Sequence, residues 1–252
     1  LDKNNIENLN LIFKINNEEY HLEEIVSKFN QIKLSSPSIK VKKKDNKFLV
    51  SGEIKTNKKN LSINLLNNLL EERFKNLNIE DVTVSSNNSF SFYINEKFKI
   101  NDFNIKSKIE LYNLTYKKNS LNIKKYLPNY EGSLKLENHQ ILINYAKDKL
   151  DINGKGKLII NDKSDNIDYQ VIKKKELYNF FTNFNFDKIP FSIDAMQYTK
   201  KTNLDSTLLI KGNYTKNKNF FFNLISLVEN NNIFLIKDLN LNNKFKVTDI
   251  KS

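Results

Sequence analysis

The chain has 252 residues, 39% of them hydrophobic and 12% aromatic, and a formal net charge of +12. That apolar fraction excludes a disordered polyelectrolyte despite a mean hydropathy of −0.58, so a core or an apolar lining is required. The absence of cysteine excludes disulfides, thiolate metal sites and a cysteine nucleophile.

Alternation of apolar and polar residues with period two is the dominant pattern along the chain. Leu9, Leu11, Phe13 and Ile15 alternate with polar neighbours up to a turn at Asn16-Asn17. Residues 18–32 are ambiguous, because Leu22, Ile25, Val26 and Phe29 also suit a helix. Ile39 and Val41, then Asp45-Asn46, then Phe48 and Val50 read as a hairpin. Leu65, Leu66, Leu69, Leu70, Phe74 and Leu77 follow helical spacing, which predicts a helix over 64–77 with Asn64 as N-cap. Such a helix closes one end or edge of a sheet. Phe90, Phe92 and Ile94 form the next strand, and the clearest strand spans 103–112. There Phe103, Ile105, Ile109 and Leu111 face one way, opposite Lys106, Lys108 and Glu110. The stretch 117–131 reads as an irregular connection and the one place where the chain could subdivide.

Beyond it, Leu134 and Leu136 lead to a turn at Asn138-His139, followed by Ile141, Ile143 and Tyr145. Leu150, Ile152, Leu158 and Ile160 share one parity, with Gly154 and Gly156 marking a bulge or bend. Ile167, Tyr169 and Val171 follow. The last hairpins run through Leu208 and Ile210, then Phe220, Phe222 and Leu224, then Ile233 and Leu235, and finally Phe245 and Val247. Strands recurring every 10–15 residues or so, with short polar turns, describe an all-β antiparallel meander with one or two short helices.

The charge does not point to nucleic acid. Only one of the 41 basic residues is arginine (Arg73), whereas phosphate and base recognition favour the planar arginine fork. The 43 asparagines, with abundant Lys, Ile, Phe and Tyr, follow AT-rich codon usage, and the lysines are dispersed. No catalytic motif is present: no metal-binding HExxH, no nucleophile elbow and no phosphate loop. His21 and His139 sit near expected turns, where solvation is the ordinary outcome. Asp162, Asp165 and Asp168 lack the spacing of a calcium loop. The chain is therefore read as no enzyme, with no cofactor and no metal.

Three stretches carry a family resemblance. They are Leu-Ile-Lys-Gly-Asn-Tyr at 209–214, the strand at 220–229, and the strand at 233–241 after an Asn-rich turn; Ile167–Val171 and Asp81–Leu114 have the same texture. Together they resemble the AsmA-like family, the YhdP/TamB-type bridge-like lipid-transfer proteins of Gram-negative bacteria. The resemblance implies a long curled antiparallel β-sheet, a taco-like groove lined with apolar side chains that carries phospholipid acyl chains across the periplasm and supports outer-membrane integrity. It also implies an inner-membrane anchor, which would lie outside this chain. No apolar run here reaches the ~18–20 residues of a membrane span, and the chain opens at Leu1, so residues 1–252 are read as a segment of such a protein.

The expected groove lining is the apolar parity of the clear strands. It comprises Phe90, Phe92, Phe103, Ile105, Ile109 and Leu111 in the first half. Ile141, Ile143, Phe220, Phe222 and Leu224 follow in the second. Alternation alone equally allows a β-sandwich, a binding or adhesion module in which two apolar faces meet. It also leaves each strand's facing open to inversion by a one-residue slip.

Overall fold

The computed structural model describes residues 5–69, 78–117, 127, 130–193, 197–200, 203–216, 218–243 and 246–251. Fourteen strands form one antiparallel sheet. In its first half, β1 (Ile6–Asn16), β2 (Glu19–Phe29), β3 (Ile32–Lys44), β4 (Lys47–Leu61), β5 (Ile79–Asn95) and β6 (Ile100–Lys117) follow one another in space as in sequence. The second half continues with β7 (Ser133–Ala146), β8 (Lys149–Ile160), β9 (Lys163–Lys174) and β10 (Leu177–Asn185). A two-stranded sheet of β11 (Ser192–Ile193) and β12 (Tyr198–Thr199) then leaves the main sheet. The chain returns as β13 (Ser206–Thr215), pairing with β10, and ends with β14 (Phe220–Glu229), β15 (Asn232–Leu241) and β16 (Val247–Lys251).

Asparagine and its neighbours make this meander possible. Two-residue turns at Asn17-Glu18, Asn30-Gln31, Lys147-Asp148 and Asn161-Asp162 hold both residues at positive φ, between 45° and 67°. This backbone matches the right-handed strand twist, and Asn and Asp tolerate it best after glycine. The tight turns set register: Asn16 pairs with Glu19, Phe29 with Ile32, and Lys44 with Lys47 across Asp45-Asn46.

All long strands join one sheet, so the described strands do not divide into the two facing sheets of a sandwich. The sheet is also not strongly curled. The chain exposes 16996 Å², against roughly 11,600 Å² for a compact monomer of this mass. The excess is the surface of a sheet without a full second layer.

Several expectations are corrected by the fold. Residues 19–29 are strand β2, not helix. Leu22, Ile25 and Phe29 share a face because the strand is irregular at Glu24, whose φ is +50°. Such an irregularity inserts one residue into the alternation and so imitates helical spacing. A matching irregularity in β3 lies between Ser35 and Ile39, around Pro37, where a strand tolerates a missing N–H. The helix is α1 (Ile63–Leu69); residues 70–77 of the expected helix lie outside the described residues. Its cap is Ser62, not Asn64: the Leu65 N–H donates to Ser62 Oγ at 3.3 Å.

Asn138-His139 is not a turn either. β7 runs through it, with a bulge opposite β8 and Asn138 at φ +52°. Gly156 lies opposite that bulge, as the expected bulge requires, while both Gly154 and Gly156 keep unbroken register with β9 and mark no bend there. They are glycines because the Tyr169 ring lies over Gly154 and the His139 ring over Gly156, each within 2.5 Å of where a Cβ would be.

The dense core is local. Leu158, Ile160, Phe184 and Leu227 from the sheet pack beneath Leu127, Tyr130, Phe186, Ile189 and Phe191. Residues 186–193 and 197–200 thus form a cover over one end of β7–β15. Its anchor is Asp165, 5% exposed, whose carboxylate accepts the backbone N–H of Ile189 at 2.7 Å and of Lys188 at 3.0 Å. Lys200, 3% exposed, donates from Nζ to the Asp187 carbonyl at 3.0 Å. Burial lowers its pKa, opposed by Asp165, Asp187 and Glu229. Tyr198 donates its hydroxyl to Glu229, and burial together with that carboxylate pushes its pKa up to about 12.

Candidate functional site: the apolar face of the sheet

Ladder pairing carries one face from strand to strand. A single rung begins Phe13–Leu22–Ile39–Gly52–Phe90–Ile105–Tyr145. It continues Leu150–Lys173–Tyr178–Tyr214–Phe220–Leu241–Val247. It crosses all fourteen strands, and only Gly52 and Lys173 lack an apolar body. The Lys173 ammonium lies 5.4 Å from the centre of the Tyr178 ring, so even this residue lays its stem along the face. Thirteen strand spacings of about 4.8 Å make the rung roughly 62 Å long.

The neighbouring rung, Ser107–Ile143–Ile152–Val171–Phe180–Gly212–Phe222–Leu239, runs parallel to it. Phe90, Phe92, Phe103 and Tyr145 form a relay of rings with centres 5.9, 6.2 and 6.1 Å apart. Between the two rungs and the cover lies Ile109–Ile141–Gly154–Tyr169–Thr182–Ile210. The opposite face is polar: one of its rungs reads Glu53–Ser89–Lys106–Asn144–Asp151–Ile172–Asn179–Asn213.

Ten of the eleven expected lining residues share the apolar face: Phe90, Phe92, Phe103, Ile105, Ile109, Leu111, Ile141, Ile143, Phe220 and Phe222. Most are half-buried, Leu111 is buried, and Phe103 is 39% exposed. Leu224 is on the other face. A register shift places Phe222 opposite Gly212 but Leu224 opposite Lys211, so Asn223 is the extra residue and parity inverts beyond it. Ile225 and Leu227 take the apolar positions instead. Tyr178, Phe180 and Tyr214 belong to the face and escaped the sequence reading. In β10 the adjacent pair Phe180-Phe181 hides the alternation, and only pairing with β9 and β13 shows that Phe180 alone faces the rung.

His139 is not a solvated turn residue; it is 1% exposed. Its Nε2 lies 3.0 Å from the Lys157 carbonyl, which can only accept, so Nε2 carries the proton and Nδ1 is a bare, buried lone pair. Burial holds its pKa below the usual 6.5. The unfolded chain therefore takes up a proton first as pH falls. This contribution to stability is complete above about 6.5 and is lost as pH falls from there toward the folded value. Thermal unfolding at about pH 7.5 and about pH 5 is expected to show a larger drop for wild type than for His139→Gln. Equal drops would remove His139 as the cause.

Among the described residues no group of three or more His, Cys, Asp or Glu is placed to hold a metal ion, and no helix is long and apolar enough to cross a membrane. No family model, curated protein or solved structure matches the chain.

Proposed function

We propose that this chain is a segment of a bridge-like, non-enzymatic lipid-transfer protein of the AsmA-like type, and that its apolar sheet face carries phospholipid acyl chains. In this reading the parent protein stands in the periplasm, anchored in the inner membrane through a segment outside this chain, and moves lipid between the inner and outer membranes. The observation that supports it is the apolar rung from Phe13 to Val247, which crosses fourteen strands with only Gly52 and Lys173 interrupting it and has no full second layer. A patch of that length on one face needs an apolar occupant, because soluble proteins rarely leave such surface in water.

The energetics suit a conduit. A fully buried acyl CH₂ is worth about 0.8 kcal/mol. A face wet on one side returns part of that per carbon, and one rung is much like the next. Cargo is then held against water without being trapped at any one strand. The groove requires the sheet to curl around its cargo, and the irregularities at Glu24, Pro37, Asn138 and Asn223 are places where strands bend.

The test is mass spectrometry of lipid co-purifying with the protein made in a Gram-negative periplasm and washed without detergent. Near-stoichiometric phospholipid is expected. Ile105→Asp and Phe220→Asp should cut it at least about fivefold, since each places a charge in the apolar rung. Lipid-free wild-type protein, or unchanged lipid in both variants, would overturn the proposal.

A further inference from the structure

A second feature lies away from the apolar face, a depression in the sheet. It has a volume of about 660 Å³ and lies on the polar side of β6–β10. Two polar-side rungs line it. One is Lys108–Leu142–Asn153–Gln170–Phe181, and the other is Glu110–Gln140–Lys155–Asp168. The volume lies within the usual range for small-ligand sites. Four strand spacings make it about 19 Å long, and it is only two rungs wide, so it is a slot running across the strands.

Three features define what such a slot takes. First, its charge is balanced. Lys108 and Lys155 are matched by Glu110 and Asp168, on a chain of net charge +12. A polyanion gains nothing from this patch relative to the rest of the surface. Second, its amides are preset. Asp151 Oδ1 accepts Asn153 Nδ2 at 2.9 Å and Gln170 Nε2 at 3.1 Å. One N–H of each amide is thereby fixed, and each keeps a carbonyl oxygen and a second N–H to offer, beside Gln140. Third, the slot has apolar shoulders. Leu142 is 46% exposed, and Phe181 is held with the Lys211 ammonium 5.6 Å from its ring centre.

Paired donors and acceptors, no net charge and apolar contacts on the flanks match the chemistry of a pyranose chain. Sugar hydroxyls both donate and accept, and sugar C–H faces rest on apolar side chains. We propose that the polar side of β6–β10 is a binding site for a neutral, linear oligosaccharide lying across the strands. The site differs from the lipid-carrying face in the side chains that flank it, which belong to the opposite face; the apolar-face residues Ile109, Ile141, Gly154 and Tyr169 lie between its two rungs and complete its floor.

The test is isothermal titration of the full chain with maltohexaose, cellohexaose and chitohexaose, together with saturation-transfer NMR. At least one should bind with a dissociation constant in the millimolar range or tighter. Asn153→Ala with Gln170→Ala should weaken it by at least about tenfold, the loss of one to two net hydrogen bonds. Phe220→Asp should leave it unchanged, and circular dichroism checks that the half-buried double variant folds. Failure of all three hexasaccharides to bind would overturn the proposal. So would binding that survives the double variant, or competition by a sulfated polyanion, which would mark the lysines as the real determinant.

Discussion

Gly212→Ala is expected to destabilise the β10–β13–β14 region by about 3 kcal/mol, the upper end of overpacking costs. Gly212 sits between Phe180 and Phe222 in an apolar rung. A Cβ there would lie 2.4 Å from the Phe221 carbonyl oxygen and 2.7 Å from the Phe180 ring. The ring could swing, but the carbonyl is main chain at the bulge beside Asn223, so relief requires moving β14 itself. At Gly154 the nearest atoms all belong to the Tyr169 side chain, from 2.2 Å, and a side chain can give way. Gly154→Ala should therefore cost about half as much. The strands pack chiefly on their sequence neighbours, as in a solenoid, so the damage should be regional rather than global. Hydrogen exchange reads it: β13 and β14 amides should lose protection in Gly212→Ala while β2–β4 amides keep theirs. Loss below about 0.5 kcal/mol would show that the close approach at Gly212 is not needed.

Asp165→Ala is expected to release the cover over β7–β15. The buried carboxylate accepts two backbone N–H groups, from Lys188 and Ile189, and Ile189 is 0% exposed. Alanine leaves the buried Ile189 N–H and the part-buried Lys188 N–H without that acceptor, a cost of about 2–4 kcal/mol for hydrogen bonds to a charged group. Asp165→Asn keeps one acceptor oxygen and should cost roughly half of that. Limited proteolysis should cleave Asp165→Ala within 186–193 while wild type resists there, and the Ile189 amide should exchange rapidly. A variant as resistant as wild type would show that Phe186, Ile189 and Phe191 hold the cover by apolar packing alone.

The parts of the fold legible in the sequence are those that depend on near neighbours. Period-two runs such as 103–111 and the Asn- and Asp-centred turns placed β1, β3–β6, β8, β9 and β13–β15, because alternation and positive-φ turns are properties of a few adjacent residues. Legibility failed wherever one residue broke the count. The irregularity at Glu24 made β2 look helical, the bulge at Asn138 made β7 look like two strands, and the extra Asn223 put Leu224 on the wrong face. Each is settled by pairing with a neighbouring strand, and a strand cannot report its partner's register.

The functional surfaces divide the same way. Ten of the apolar-face positions follow from alternation, since burial on one side selects apolar residues at every second place. The same pattern serves a groove, a sandwich or an open sheet equally well, and the sequence by itself determined only that an apolar face exists. That the face runs from Phe13 to Val247 with only Gly52 and Lys173 interrupting its rung, that Asp165 is the anchor of a cover rather than a member of an acidic repeat, and that nine polar-side residues from five strands converge in one slot were decided by tertiary structure. The reason is that each depends on residues far apart in sequence being brought into one register by the sheet.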